Sequence, residues 1–461
     1  MLEFTKVNKS ASVAWMAAGA AWFVVGAVYG LLGAIHLMAP DLLSNIPFLV
    51  FGRTRPAHVN TVIFGFVASI LWGSALYIVP ALLKTRLWSE RMGWAAWVVW
   101  QGVVVGGEVC FAFGISQGRE YGEYPWILDV MLTAAVVLLA FNLVMTVVQR
   151  QENQLYVSVW YVLGGTIATM GNYPIGNVMW SPAHGAMPGL LDSVFLWFYA
   201  HNLVGLLLTP LALAVTYYVV PRIVQRPLFS HTLSLIGFWA LIALYTHIGG
   251  HHILQAPIPH WLRTVSVVDS MATIIPVSTV LANIWLTPRG RGGRLWADPA
   301  GRWVITGTIW YLLVCTQGPL QSLPTVQRVT HFTNWVVAHA HIGVLGFAGF
   351  IALGALWHVL PLACGRRLYS ARLAWAQWAL VLLGLTGFFL VLTIAGLIQG
   401  QAWENGATVY RVLPEISIYM VLRAVMGVFL LSGALVGLIN VIMTLKSGQK
   451  PDDAGAQEAT V

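Results

Sequence analysis

Twelve apolar segments dominate the sequence, and each is long enough to cross a lipid bilayer as a helix, which takes about 20 residues. They lie at roughly 13–37, 58–83, 93–115, 126–148, 155–173, 190–220, 231–254, 265–287, 303–318, 331–361, 371–399 and 416–446. Only 9% of the residues are charged, whereas a soluble domain carries about 25%. We therefore predict an all-α integral membrane protein with twelve transmembrane helices. It forms a single transmembrane domain over 1–461, which ends in a cytoplasmic tail at 447–461.

Lysine and arginine are divided unevenly between the two sides of this predicted bundle. With twelve spans both termini lie on one side, and 17 of the 24 basic residues fall there, six fall on the other side, and Arg423 falls within the last span. By the positive-inside rule both termini are cytoplasmic. The basic residues lie in short loops, so the formal charge of +8 does not indicate nucleic-acid binding. We see no soluble domain and no clear internal repeat.

The histidines carry the chemistry, because a histidine inside a bilayer is costly and usually functional. Six of the 13 gather on four predicted helices near one membrane depth, towards the outer face: His58, His201, His251, His252, His339 and His341. This grouping indicates metal or cofactor binding more strongly than any one of them does alone.

The sequence AHAH at 338–341 places His339 and His341 two residues apart, which is about 200° around a helix. They point to opposite sides, so they cannot easily bind one metal but can bind two cofactors that flank the helix. The alternative is two histidines hydrogen-bonded to neighbouring helices. His58 could complete a haem held by two imidazoles, which suits electron transfer. A haem with one histidine keeps an open face.

The other three histidines of this set could hold a second metal near that open face. His201, His251 and His252 offer three imidazoles, which suit copper, iron or zinc. The three cysteines lie far apart and form neither a CxxC zinc pattern nor a CxxCH haem-attachment pattern. Any haem is therefore held without a covalent link of that kind.

At this point the sequence resembles subunit I of the haem–copper oxidase superfamily, and most closely the C-family or cbb-type cytochrome c oxidases. The similarity covers nearly the whole chain. It is carried by GRTRPAHVNTVIFGF (52–66), QGREYGEYPW (117–126), YAHNLVGLLLT (199–209), HFTNWVVAHAHIGVLGF (331–347), LYSARLAWAQW (368–378), GLIQGQAW (396–403) and YMVLRAVMG (419–427).

The resemblance implies a role for each histidine. His58 and His341 would ligate the iron of a low-spin haem b, and His339 that of a high-spin haem b. The other three would hold the copper ion CuB. Tyr245 matches a tyrosine that in the family is linked covalently to the histidine of helix six, and that donates an electron and a proton when the O–O bond breaks. The alternative for Tyr245 is an anchor at the membrane interface.

The implied function is a terminal respiratory oxidase that reduces O2 to water with electrons from cytochrome c, coupled to proton translocation. The implied partners are membrane-anchored c-type cytochrome subunits and a soluble cytochrome c or similar donor. The implied location is the bacterial cytoplasmic (inner) membrane, with protons taken from the cytoplasmic side.

Two features near the outer face extend the resemblance. Arg53 and Arg55 precede His58 and could face haem propionates, since a guanidinium matches a carboxylate. A topology anchor is the alternative for either. Glu120 and Glu123 lie in a loop where the family binds calcium, with a solvated loop as the alternative.

The nearest rival is the nitric oxide reductase large subunit, which has non-haem iron in place of CuB. Those enzymes carry a glutamate one turn after the helix-six histidine, and they generally lack the helix-seven tyrosine. Here the first position is Gly205, and Tyr245 is present. Both features favour oxygen and copper. A transporter would instead need a polar midplane pathway and paired broken helices.

Two residues depart from the family pattern. Gln317 stands where relatives carry an acidic residue near the high-spin haem, so proton handling or haem potential could differ. His247 has no family counterpart and sits one helical turn before His251. It could be a hydrogen-bonded histidine, a donor to a ligand, or a proton relay.

Overall fold

The computed structural model describes residues 10–179 and 187–448, and every regular element in these ranges is helical. Most of the predicted tail at 447–461 lies outside the described residues, as do Lys6, Lys9 and Lys450. Twelve principal helices follow one another along the chain. They are α1 (Ala11–Met38), α2 (Phe51–Leu82), α3 (Glu90–Ala112), α4 (Trp126–Val148), α5 (Val157–Asn177), α6 (Leu190–Val224), α7 (His231–Tyr245), α8 (His260–Leu286), α9 (Pro299–Ser322), α10 (Asn334–Cys364), α11 (Ala371–Glu404) and α12 (Val409–Ser447).

Each predicted span corresponds to one of these helices, and the all-α class is confirmed. Within the described residues, nine helices are long and apolar enough to cross a membrane. The other three are α5, α7 and α9. The first and last of these are long but less apolar, whereas α7 has only 15 residues. Twelve crossings are consistent with this architecture, and the orientation of the termini stays a prediction.

Three predicted boundaries need correction. Helix α2 begins at Phe51 rather than at His58, so His58 lies about two turns inside it. Helix α9 begins at Pro299, because the Asp298 side chain accepts a hydrogen bond from the Gly301 N–H at 2.8 Å and caps the helix. Helix α7 ends at Tyr245, and the predicted span continues as a separate 3-10 helix, Ile248–Ile253.

The expectation of no clear internal repeat is wrong, because one hydrogen-bond motif occurs three times. An asparagine in α4, α8 or α12 accepts a hydrogen bond from the backbone N–H of a serine that caps the preceding helix, and it donates to that serine's carbonyl. The pairs are Asn142 with Ser89, Asn283 with Ser230, and Asn440 with Ser370, at 2.8–3.1 Å. The chain thus contains three units of four helices.

A second feature recurs with the same four-helix spacing. Helices α2, α6 and α10 each contain a π-helical stretch: Thr61–Ala68, Leu203–Leu208 and Ile342–Gly349. Each stretch begins within three residues of a predicted ligand histidine. Because π-helical turns occur mostly at functional sites, this local widening marks the part of each helix where the histidines converge.

The repeated asparagine motif generates a stability prediction. Asn440 is fully buried, so the Asn440→Leu variant should lose both hydrogen bonds to Ser370 and leave the half-buried Ser370 N–H without a partner. We expect destabilisation of about 1–3 kcal/mol, seen as a lower unfolding temperature of the purified protein. Ser432→Ala on the same helix removes an exposed hydroxyl bonded to its own helix and should change little. Equal stability of the two variants would contradict the structural role of the motif.

Candidate haem and metal centres

His58 and His341 line one cavity, which lies between α1, α2, α10, α11 and α12 and has a volume of about 350 Å³. The two ring centroids are 6.1 Å apart and the ring planes differ by 18°. Two metal–imidazole bonds of about 2 Å each would fit between them. Apart from a few polar groups, the lining is apolar, as in most cofactor pockets.

Both imidazoles are held by the backbone through the same nitrogen. The Nδ1 of His58 lies 2.8 Å from the carbonyl of Gly26, and the Nδ1 of His341 lies 2.8 Å from that of Val337. A carbonyl only accepts, so Nδ1 carries the proton and Nε2 keeps its lone pair. Metal-bound histidines usually donate their second nitrogen in this way. The residues therefore fit a haem with two axial imidazoles.

His339 lies on another side of α10 and does not line this cavity. Its Nδ1 donates to the Oε1 of Gln317 on α9 at 3.2 Å, and its ring is parallel to that of Trp335, with centroids 5.6 Å apart. Its Nε2 again remains for an iron. Gln317 thus contacts the predicted proximal histidine, and it offers that histidine a neutral amide acceptor rather than a carboxylate.

The predicted copper ligands come together as a cluster. One nitrogen each of His201, His251 and His252 lies within 4.8 Å of the others, and no carboxylate joins this group among the described residues. The Nδ1 of His251 lies 2.7 Å from the Ser270 hydroxyl, which donates to the Ser266 carbonyl and so accepts from the histidine. Three neutral imidazoles suit copper, iron or zinc.

The backbone that carries two of these histidines is a 3-10 helix rather than the end of an α-helix. From the sequence alone, Gly249 and Gly250 are expected to loosen the helix end so that both histidines can converge. In the structure they allow close packing instead, because a Cβ would lie 2.2 Å from the Trp197 carbonyl oxygen at Gly249 and 2.4 Å from the Ser266 hydroxyl at Gly250. Adjacent residues of a 3-10 helix differ by about 120°, and the rings of His251 and His252 are tilted by 53° with centroids 4.5 Å apart.

His247 lies outside this helix, so the expectation that it shares a face with His251 is wrong. It follows the end of α7, and its backbone is not helical. Its Nε2 contacts a carboxylate oxygen of Asp269 on α8, and 45% of its side chain is exposed. His247 is thus an ion-pairing or hydrogen-bonded histidine on the flank of the bundle.

Tyr245 packs directly against His201. The two ring centroids are 4.6 Å apart, and the planes differ by 11°. The Nε2 of His201 is buried, and no described residue forms a hydrogen bond with it. A Cβ at Gly205 would lie 1.6 Å from Cε1 of Tyr245. Any side chain at 205, including a glutamate, would therefore occupy the volume of the tyrosine ring.

Two residues that hold the cluster were missed by the sequence analysis. Trp197 is parallel to His252, with centroids 4.1 Å apart and planes 12° apart. Buried Gln327 donates from Nε2 to the His251 carbonyl at 2.6 Å. Trp197 precedes His201 by four residues, a spacing that places both on one helical face, and this signal could have identified it. No signal of this kind exists for Gln327.

The predicted propionate and calcium region lies at the rim of the cavity. Arg55 and Glu120 line the cavity and form an ion pair at 2.6 Å. Glu123 accepts from the Asn60 amide at 3.1 Å, and burial raises the pKa of this loop carboxyl, opposed by the Asn60 hydrogen bond and the Arg55 charge. Arg53 instead donates to the Ala112 carbonyl at 2.7 Å. Only Arg55 of the two arginines therefore borders the cavity.

Comparison with known proteins identifies the family of this chain. Residues 10–429 match the family described as cytochrome c and quinol oxidase polypeptide I. The cytochrome c oxidase subunit 1 homolog of Agrobacterium tumefaciens is 33% identical over 434 residues, which cover 91% of this chain and 80% of that protein. The cbb3-type cytochrome c oxidase subunit CcoN1 of Stutzerimonas stutzeri is 29% identical, with 91% of each chain covered.

The fold is also shared with a solved structure. A chain of a haem–copper terminal oxidase dimer, determined by cryo-electron microscopy, superposes with a TM-score of 0.80 at 15% identity, covering 97% of this chain and 86% of the other. At that identity the likeness concerns the fold alone. From the family match and the relatives together, the chain belongs to the cytochrome c and quinol oxidase polypeptide I family and is a haem–copper oxidase subunit I.

Proposed function

We propose that this chain is the catalytic subunit of a cytochrome c oxidase of the cbb type, which reduces O2 to water with four electrons and four protons. The observation that carries the proposal is the contact of Tyr245 with both His201 and Gly205. It puts an oxidisable phenol beside a three-imidazole cluster and leaves no room for a carboxylate ligand.

The donor sets support two b-type haems and one copper ion. His58 and His341 would hold the low-spin haem, His339 the high-spin haem, and the cluster of three histidines the copper. When bound, these groups would supply one-electron carriers and the metal chemistry that O2 reduction needs. Helix α10 would carry ligands to both haems, so the two proposed haem sites would share one rigid element.

The protein's own residues then handle the protons. Tyr245 would donate a proton and an electron to the reacting oxygen, and its phenol would be restored by one electron from the external donor and one proton from the cytoplasmic side. Tyr311 and Cys315 lie one helical turn apart on α9, on the same face of that helix. The buried hydroxyls of Tyr161 and Tyr217 have no hydrogen-bond partner among the described residues. Buried polar groups of this kind are commonly bridged by water, which supports a proton route along these tyrosines.

Electrons would come from partner subunits at the outer side, because this sequence has no CxxCH pattern for a covalently bound haem. We expect membrane-anchored c-type cytochromes and a soluble cytochrome c as donors. Coupled proton translocation stays a prediction. A calcium ion at Glu120 and Glu123 also stays a prediction, since Arg55 already pairs with Glu120 and lies 3.6 Å from Glu123.

Reduction of nitric oxide with a non-haem iron is the rival function. The resembling reductases place a glutamate at the position of Gly205 to ligate iron. Because the Tyr245 ring fills that volume, we favour oxygen as substrate and copper as metal.

The metal assignment predicts the behaviour of His201→Ala. Removing one of three imidazoles should abolish the second metal, while the low-spin haem spectrum is retained. Metal analysis of the purified complex should find one copper per chain in the unmodified protein and none in this variant. His231→Ala, at the distant start of α7, is the control and should keep its copper. A third, non-haem iron without copper in the unmodified protein would instead support the reductase.

The role of Tyr245 predicts that Tyr245→Phe keeps both haems and copper but loses oxygen reduction by a factor of about 10² or more, the usual contribution of a positioned proton donor. Oxygen consumption with reduced cytochrome c would measure this. Tyr410→Phe, near the start of α12 and with 82% of the residue exposed, should turn over normally. Normal turnover of Tyr245→Phe would assign the tyrosine a structural role.

The packing of Gly205 predicts a coupled effect. Gly205→Ala should displace the Tyr245 ring, lower stability by about 1–3 kcal/mol and reduce oxygen consumption. In a Tyr245→Ala background the same substitution should cost much less stability, because the clash is gone. Gly102→Ala on α3 has no neighbouring atom within 4 Å of the added Cβ and serves as the control. Additive costs for the two substitutions would refute direct packing.

A further inference from the structure

Arg423 is a half-buried cation with no role in the function described so far. It lies in α12 and lines the same cavity as His58 and His341. Its Nε is buried, and no described residue forms a hydrogen bond with it. Its guanidinium carbon lies 5.5 Å from the centroid of the Phe388 ring, and the centroid of that ring is 4.4 Å from that of His341. The cation is thus connected to a proposed axial ligand through one aromatic ring.

The charges around the cavity do not balance. Three of its lining residues are charged: Arg55, Glu120 and Arg423. Arg55 and Glu120 neutralise each other in an ion pair at 2.6 Å. Among the described residues Arg423 forms no ion pair, so one positive charge remains unmatched within the cavity wall.

This charge also lies far from either end of its helix. Arg423 is 14 residues from the start of α12 at Val409, which is about 21 Å along the helix axis. Salt screens buried charges much less than exposed ones, and Coulomb interactions are several times stronger in a protein interior than in water. An unpaired arginine at this depth is costly and usually functional. Its cost is offset only if the cavity holds something that gains from a nearby positive charge.

We propose that Arg423 acts as a fixed, unpaired cation that raises the midpoint potential of the haem held by His58 and His341. The inference rests on the proposed function, because it requires a haem in this cavity. When ferric iron takes up one electron to become ferrous iron, the net charge of the site falls by one. A fixed positive charge therefore stabilises the reduced form, and no proton need move. Burial and nearby charge are established means of setting haem potentials.

The consequence concerns the direction of electron flow. The higher potential makes this haem a better acceptor for electrons from an external cytochrome. Arg423 therefore acts through its fixed charge and is not a catalytic residue. It is connected to the axial ligand only through Phe388.

The test is a redox titration of the low-spin haem absorbance in the purified complex. Arg423→Gln should lower the midpoint potential at unchanged haem content and slow reduction by cytochrome c. Arg423→Lys keeps the charge and should stay close to the unmodified protein. Phe388→Leu keeps the charge but removes the intervening ring, and its potential should shift less than that of Arg423→Gln.

Two results would overturn the inference. One is an unchanged midpoint potential in Arg423→Gln with full haem content. The other is loss of the low-spin haem in Arg423→Gln but not in Arg423→Lys, which would make Arg423 an anchor for an anionic group. Failure of the proposed function looks different, because His58→Ala and His341→Ala would then keep the low-spin haem spectrum whatever Arg423 does.

Discussion

Each imidazole of the proposed haem sites has one nitrogen fixed by the protein and one left over, and the rest of the bundle serves this arrangement. His58 is fixed by a backbone carbonyl of the neighbouring helix α1, and His341 by the carbonyl one turn earlier in its own helix. His339 is fixed by a side-chain amide. An imidazole with an unused lone pair is unfavourable in an apolar interior. The close approach of α1, where a Cβ at Gly30 would lie 2.7 Å from the His58 ring, keeps that ring in place. The helices thus position donors whose free nitrogens suit a bound metal.

The three-unit architecture explains how one chain could position the three proposed centres. In each unit an asparagine–serine pair joins two helices at the end that is predicted to be cytoplasmic. At the opposite end, π-helical stretches follow the histidines of α2, α6 and α10. The first unit contributes His58, the second the three-imidazole cluster, and the third His339 and His341. The helical arrangement is therefore repeated, whereas the chemistry of the site is not, because each unit contributes different predicted ligands.

The sequence was sufficient for the helical class, the family and the set of histidines that converge. These follow from apolar length, from a few costly residues and from motifs spread over the whole chain. The path of the segment after Tyr245 was not predictable, since hydropathy continues through a 3-10 helix as it would through an α-helix. For the same reason His247 was assigned to the wrong face. The internal repeat was invisible because it depends on side-chain hydrogen bonds between distant polar residues. The surroundings of Arg423 could not be predicted without the structure of the cavity, because the sequence shows only a basic residue within the last span.

The contact between Gly205 and Tyr245 also bears on how such enzymes can diverge. One volume holds either an aromatic ring from α7 or a side chain from α6, and it cannot hold both. A lineage passing from oxygen chemistry to the glutamate-ligated chemistry of the resembling reductases must lose the ring before, or together with, the gain of the carboxylate. The intermediate with neither group is the only unstrained one, and it lacks both the phenol and the extra ligand. A barrier between two activities can thus arise from the limited space beside one residue rather than from the choice of metal.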